Sequence, residues 1–212
     1  MAVYVVLGLI LIFLLLLVVA YINAVIKFPK TTLIVTAILV FGAKLYCDNF
    51  VESTQFGHAP YWLNIKKITY SKEESWGIGM PGDNETGVIV YDLQSEIAEK
   101  IKKEGIEFFK HLPQVTYSNN GEYYRRGSYD NWSEMPIKKK KYSNEDEKTK
   151  VEALTDIDEY LNKYGFGISV DPKIKAQINH AISKVGSYYA YGRYGMLIII
   201  PEQHKVVYMY AG

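Results

Sequence analysis

The chain holds a single cysteine, Cys47, in 212 residues, so it can form no intramolecular disulfide and no thiolate-rich zinc or iron–sulfur site. Acidic residues are missing from positions 1–47, where the only charged side chains are Lys27, Lys30 and Lys44. The other 21 basic residues and all 23 acidic ones fall in 48–212, which leaves that part a net charge of −2. Such a balance supplies no basic excess to neutralise phosphates, so nucleic acid is not expected as a partner. It gives no reason to expect an acidic substrate either. Histidines are few and scattered, at His58, His111, His180 and His204, and none sits in a zinc spacing. No metal site is therefore expected.

Nucleophile motifs are also lacking. No Gly-x-Ser-x-Gly elbow occurs, and Cys47 lies at the end of an apolar run rather than in a folded domain. Gly77-Ile-Gly-Met-Pro-Gly82 has the spacing of a dinucleotide-binding loop. That mechanism needs a strand before the loop and a helix N-terminus after it, so that amides meet the pyrophosphate. Here a strand follows, and Pro81 removes an amide, so a glycine-rich hairpin is expected and no cofactor. Asp83 and Glu85 read as turn carboxylates, since neighbours in a loop do not fix the separation that acid–base work requires. No catalytic residue is assigned from the sequence.

What the chain does have is two long apolar runs. Ala2 to Ile26 carries no charge, and as a helix it reaches about 37 Å, enough for a hydrocarbon layer of about 30 Å. A cleaved signal peptide has a basic start and a much shorter apolar stretch, so a retained anchor is expected. Thr31 to Cys47 is shorter and includes Lys44, whose ammonium can extend to the interface from near a helix end. Lys27-Phe28-Pro29-Lys30 joins the two as a tight turn, giving a transmembrane helical hairpin over 1–47 that contacts the lipid bilayer. The turn lysines face the cytoplasm by the positive-inside rule, which puts both termini outside. Tyr46 before Cys47 does not suit a bacterial lipoprotein signal.

Residues 48–60 look polar and irregular, a juxtamembrane linker. The soluble domain, 61–212, reads as α+β with a largely antiparallel sheet. Tyr61 to Tyr70 has strand composition. Trp76–Met80 and Thr86–Asp92 flank the turn Pro81-Gly-Asp-Asn84 as a hairpin. Asp92 or Ser95 caps a helix with Ile97, Ala98 and Ile101 on one face, broken or kinked at Gly105 and continued to Leu112. Residues 114–142 have no regular apolar period and form a long excursion. A second helix starts at Ser143 or Asn144, with Val151, Leu154, Ile157, Leu161 and Tyr164 on its apolar face, and ends at Gly165. Phe166–Val170 is a short strand. Asp171-Pro172 then starts a helix with Ile174, Ile178, Ile182 and Val185 inward, because an N-cap followed by proline at the first helical position is a specific signal. Three strands end the chain, Ser187–Tyr191, Gly195–Ile200 and Lys205–Tyr210. Leu197-Ile-Ile-Ile200 lacks alternation and is expected to be central and buried on both faces.

Two sequons, Asn84-Glu-Thr86 and Asn131-Trp-Ser133, matter only in a lumenal setting. Lys138-Lys-Lys-Lys141 is balanced by Glu145-Asp146-Glu147 and reads as solvated. The distinctive stretch is the excursion, where Tyr117, Tyr123, Tyr124, Tyr129 and Trp132 stand among Ser, Asn and Gly beside Arg125 and Arg126. Rigid aromatic area, adaptable polar groups and arginine are what protein-binding loops use. The same rings could instead pack the excursion onto its own domain. The functional expectation is thus a membrane-anchored protein-binding domain on the extracytoplasmic side, with another protein as partner. That partner is a toxin from a competing cell, making the chain an immunity protein, or a subunit of an envelope complex. The rival is an envelope enzyme acting on cell-wall glycan or peptide through carboxylates that converge in space. The binding reading expects Tyr123→Ala, Tyr124→Ala and Trp132→Ala to weaken a partner complex without unfolding the domain.

Overall fold

The computed structural model describes residues 2–77, 84–112, 129–141 and 150–212. The chain divides into two compact units, 1–52 and 53–212.

The first unit contains helix α1, Ala2–Lys27, and most of helix α2, Pro29–Phe56. Both are long and apolar enough to cross a membrane. Only Phe28 separates them, and the bend is tight enough for the Thr32 hydroxyl to reach the Ala24 carbonyl at 3.0 Å. Tyr21 and Thr36 then share a hydrogen bond of 3.2 Å, so the two helices meet near the bend. Helix α2 runs nine residues beyond Cys47, correcting the expected irregular linker. Nothing in that stretch breaks a helix before Gly57, and Lys44 and Asp48 add an i,i+4 ion pair at 2.8 Å.

The second unit is a mixed structure built on a six-stranded antiparallel sheet. Its strands are β1 (Ile68–Trp76), β2 (Asn84–Asp92), β3 (Asp130–Glu134), β6 (Tyr188–Tyr191), β7 (Met196–Ile200) and β8 (Lys205–Ala211), in the spatial order β1-β2-β8-β7-β6-β3. Strands β4 (Lys138–Lys141) and β5 (Lys150–Ala153) pair separately. The first and last hairpins therefore lie side by side, with β2 against β8 from Thr86–Ala211 to Asp92–Lys205. Strand β7 is buried at all five residues, as its unbroken apolar run foretells.

Each sheet face carries its own apolar layer. Val88, Val90, Met196, Ile198, Ile200, Val207 and Met209 point to one side. There they meet helix α5 (Pro172–Ile182) through Ile178, Ala181 and Ile182, and the single-turn helix α4 (Asp158–Leu161) through Leu161. Ile89, Tyr91, Leu197, Ile199, Val206 and Tyr208 point to the other. Helix α3 (Ser95–Glu104), the 3-10 helix Gly105–His111 and the segment around Ala59 and Leu63 cover that face.

Several expectations are corrected here. Helix α3 starts after Gln94 with no side-chain cap, because Asp92 pairs with Lys205 and Ser95 lies against His204. Residues 106–111 wind as a 3-10 helix, since Gly105 leaves the α conformation at φ +61°. The anticipated helix over 143–165 is instead strand β5, a turn and α4. Its backbone finds partners in β4, and the Leu154 amide donates to Ile137 O at 3.0 Å. Leu154, Ile157 and Leu161 are buried as the spacing requires, but from three different conformations. Residues 142–149, including the expected start at Ser143 or Asn144, lie outside the described residues. Phe166–Val170 alternates inward and outward yet joins no sheet, and Tyr61–Leu63 is one 3-10 turn, with the strand beginning only at Ile68.

Asp171 caps α5 by accepting the amides of Lys173 and Ile174, with Pro172 at the first helical position. Asp171→Ala is expected to lower domain stability by about 1 kcal/mol. Ile198→Ala, in the fully buried central strand, is expected to lower it by about 2–5 kcal/mol, both read from denaturant unfolding of the intact chain.

Candidate functional site

Polar and aromatic side chains converge on the sheet face that receives residues 53–66. Strand periodicity puts Tyr208 and Tyr210 on that side of β8, Tyr91 on β2 and Glu73 on β1. Across the sheet, Glu73 pairs with Gly87 and Gly87 with Tyr210. A Cβ at Gly87 would sit 2.4 Å from the Tyr210 ring, so only glycine lets that ring lie across β2. The Tyr210 hydroxyl then donates to a Glu73 carboxylate oxygen at 3.1 Å. The other Glu73 oxygen accepts from Gln55 Nε2 at 2.8 Å and from the Ser71 hydroxyl at 3.0 Å.

The chain leaving α2 is held by two tyrosine hydroxyls. Tyr91 donates to the Gln55 carbonyl at 2.6 Å, adding to the His58 amide that the same oxygen accepts at 3.3 Å. Tyr129 donates to the His58 carbonyl at 2.7 Å. Between them the His58 ring stacks on Tyr208, with centroids 4.4 Å apart and planes 11° from parallel. Burial pushes the phenols of Tyr91, Tyr129, Tyr208 and Tyr210 above the ordinary tyrosine value, which keeps them protonated donors. Burial also holds the His58 imidazole below its ordinary value, with the Glu73 carboxylate pulling the other way.

Of the aromatic residues singled out in the sequence, the structure describes two. Tyr129 has the role just given, and its ring also lies against Gly192, where a Cβ would come within 2.7 Å. Trp132 is half-buried, stacked on Phe109 at 4.4 Å and edge-on to Trp62 at 6.0 Å. Its Nε1 is buried without a hydrogen-bond partner among the described residues. Trp132→Ala would therefore remove a ring that packs the domain's own aromatic layer. Tyr117, Tyr123, Tyr124, Arg125 and Arg126 lie outside the described residues, as do Asp83 and the centre of the glycine-rich loop.

A feature missed in the sequence lies where the excursion rejoins the sheet. Asp130 of β3 pairs with Tyr191 of β6. Tyr191 ends β6 54% exposed, and the turn to β7 holds out Tyr194, 71% exposed, with the Arg193 guanidinium 5.0 Å from the Tyr194 ring centre. The signal was present as Tyr191-Gly-Arg-Tyr-Gly195 between two strands, but only the fold places it beside residue 129.

Among the described residues no group of three His, Cys, Asp or Glu side chains is placed to hold a metal ion. Thr86 is fully buried, so the first sequon's hydroxyl is covered in the folded domain. The paired carboxylates Asp156 and Asp158 share Lys175 as counter-ion. Burial would push the Asp156 carboxyl up, but hydrogen bonds from the Asp158 amide, Lys175 and Asn179 outweigh it and hold the carboxyl low. That is the opposite of what a general acid needs. Compared with protein-family models, curated proteins and solved structures, the chain matches none.

The Glu73–Gly87–Tyr210 row can be checked by a double-mutant cycle. Gly87→Ala and Tyr210→Phe are each expected to destabilise the domain by about 1 kcal/mol. Together they should cost less than their sum, because both break the same hydrogen bond. Full additivity would mean that the ring does not cross Gly87.

Proposed function

We propose that this chain is a membrane-anchored protein-binding domain, with α1 and α2 spanning the bilayer and residues 53–212 displayed on the extracytoplasmic side. Two observations support the anchor. Helix α1 exposes apolar side chains all round, a surface suited to lipid and not to water. The bend between the helices carries Lys27 and Lys30, which favours a cytoplasmic bend and an outward domain in the inner membrane.

The binding role rests on one observation, the exposed Tyr191, Arg193 and Tyr194 beside the point where the Tyr- and Arg-rich excursion joins the sheet. Tyrosine and arginine are the residues that carry most interface energy, and a hairpin turn presents them at low conformational cost. The partner we favour is a toxin arriving from a competing cell, which makes the chain an immunity protein retained where the toxin acts. A subunit of an envelope complex is the second partner of the same class.

Crosslinking in the native membrane, followed by capture of the full-length chain and mass spectrometry, is expected to recover one protein in near-stoichiometric amount. Tyr194→Ala, Arg193→Ala, Tyr123→Ala and Tyr124→Ala should each lower its recovery while leaving the unfolding midpoint within about 0.5 kcal/mol of the parent. Recovery of the chain alone would sink the binding reading and favour an enzyme acting on cell-wall glycan or peptide.

A further inference from the structure

Residues 57–64 form a strap over the second sheet face. Gly57, Ala59, Pro60 and Leu63 are buried, and the strap closes with a 3-10 turn in which Leu63 N–H donates to Pro60 O and Asn64 N–H to Tyr61 O. Its apolar contacts are ordinary core packing. His58 is different, because it alone in the strap can change charge near neutral pH.

The surroundings of the His58 ring are specific. Strand β8 presents Tyr208, stacked at 4.4 Å, and Tyr210, at 6.1 Å. Strand β2 contributes Tyr91 and the residue before β3 is Tyr129, both hydrogen-bonded to strap or helix-end carbonyls. Strand β1 contributes Glu73, the one formal charge in the set, already engaged by Gln55, Ser71 and Tyr210. A neutral imidazole fits this stack without loss. An imidazolium would sit half-buried among phenols, short of water, facing a carboxylate whose hydrogen-bonding capacity is largely used.

We propose that the strap is a pH-sensitive latch, closed over the sheet while His58 is neutral and released when His58 takes up a proton in mildly acidic surroundings. The sign follows from linkage. The folded-state value of His58 lies below the unfolded 6.5, so the unfolded or opened state binds more protons. The contribution of this group to stability is complete above the unfolded value and is lost as pH falls through it towards the folded value. Opening takes Ala59 and Leu63 out of the apolar layer with the strap. It also removes the carbonyl that holds Tyr129, the residue at which the excursion enters the sheet beside Gly192.

The latch is tested on the full-length chain in lipid nanodiscs, independently of any partner. Hydrogen exchange at Leu63 and Asn64, corrected for the intrinsic rate, is expected to lose about three- to tenfold protection between about pH 7.5 and about pH 5. In His58→Gln the protection should not change with pH. The NMR titration of the His58 ring should have its midpoint below 6.5. Unchanged protection in the parent chain, or a His58 midpoint at or above that value, overturns the proposal. If His58→Gln fails to fold, the parent titration and exchange decide alone.

Discussion

The pairing of β2 with β8 brings the first hairpin of the second unit against the last, and most of what that unit does depends on it. Without it, β8 would have one covered flank and the two apolar layers would not be continuous. With it, β7 and β8 occupy the middle of a sheet coated on both faces, and their residues alternate between two separate cores. Burial at about 25 cal/mol per Å² of apolar surface makes these central strands the dominant favourable term. The register also sets the side chains that matter for the second face. A shift of one residue would turn Tyr208 and Tyr210 towards α5 and move Gly87 away from the ring it accommodates.

Local signals in the sequence carried the elements whose stability is local. Asp171-Pro172 marks its helix because the cap and the proline act on the first turn itself. Leu197–Ile200 announces double burial by lacking polar residues, and the three last strands fall within a residue or two of expectation. Residues 150–161 show the opposite case. Their apolar spacing of three and four suits a helix, yet the backbone is satisfied by β4, a partner that no local pattern reveals. The candidate site was illegible for the same reason. His58, Glu73, Gly87 and Tyr210 belong to four segments brought together by strand order, whereas Tyr129 and Trp132 were visible as aromatic residues but not as packed ones.

Tyrosine serves two purposes in this molecule. In the interior, hydroxyls on Tyr91 and Tyr129 donate to backbone carbonyls, so a ring fills space and a tip adds a hydrogen bond. At the end of β6 and in the turn after it, Tyr191 and Tyr194 expose more than half of their surface. The contrast separates rings that build the fold from rings free to meet something else, a distinction that composition alone cannot draw.

The separation in sequence between β2 and β8 also orders events during synthesis. Thr86 waits for Ala211, so β2 cannot take its place against β8 until residue 211 has been made. Helices α1 and α2 precede every strand, so their local hydrogen bonds can form while the sheet is still open. The topology thus makes closure of the sheet a late event, with β2 held open until its partner strand arrives.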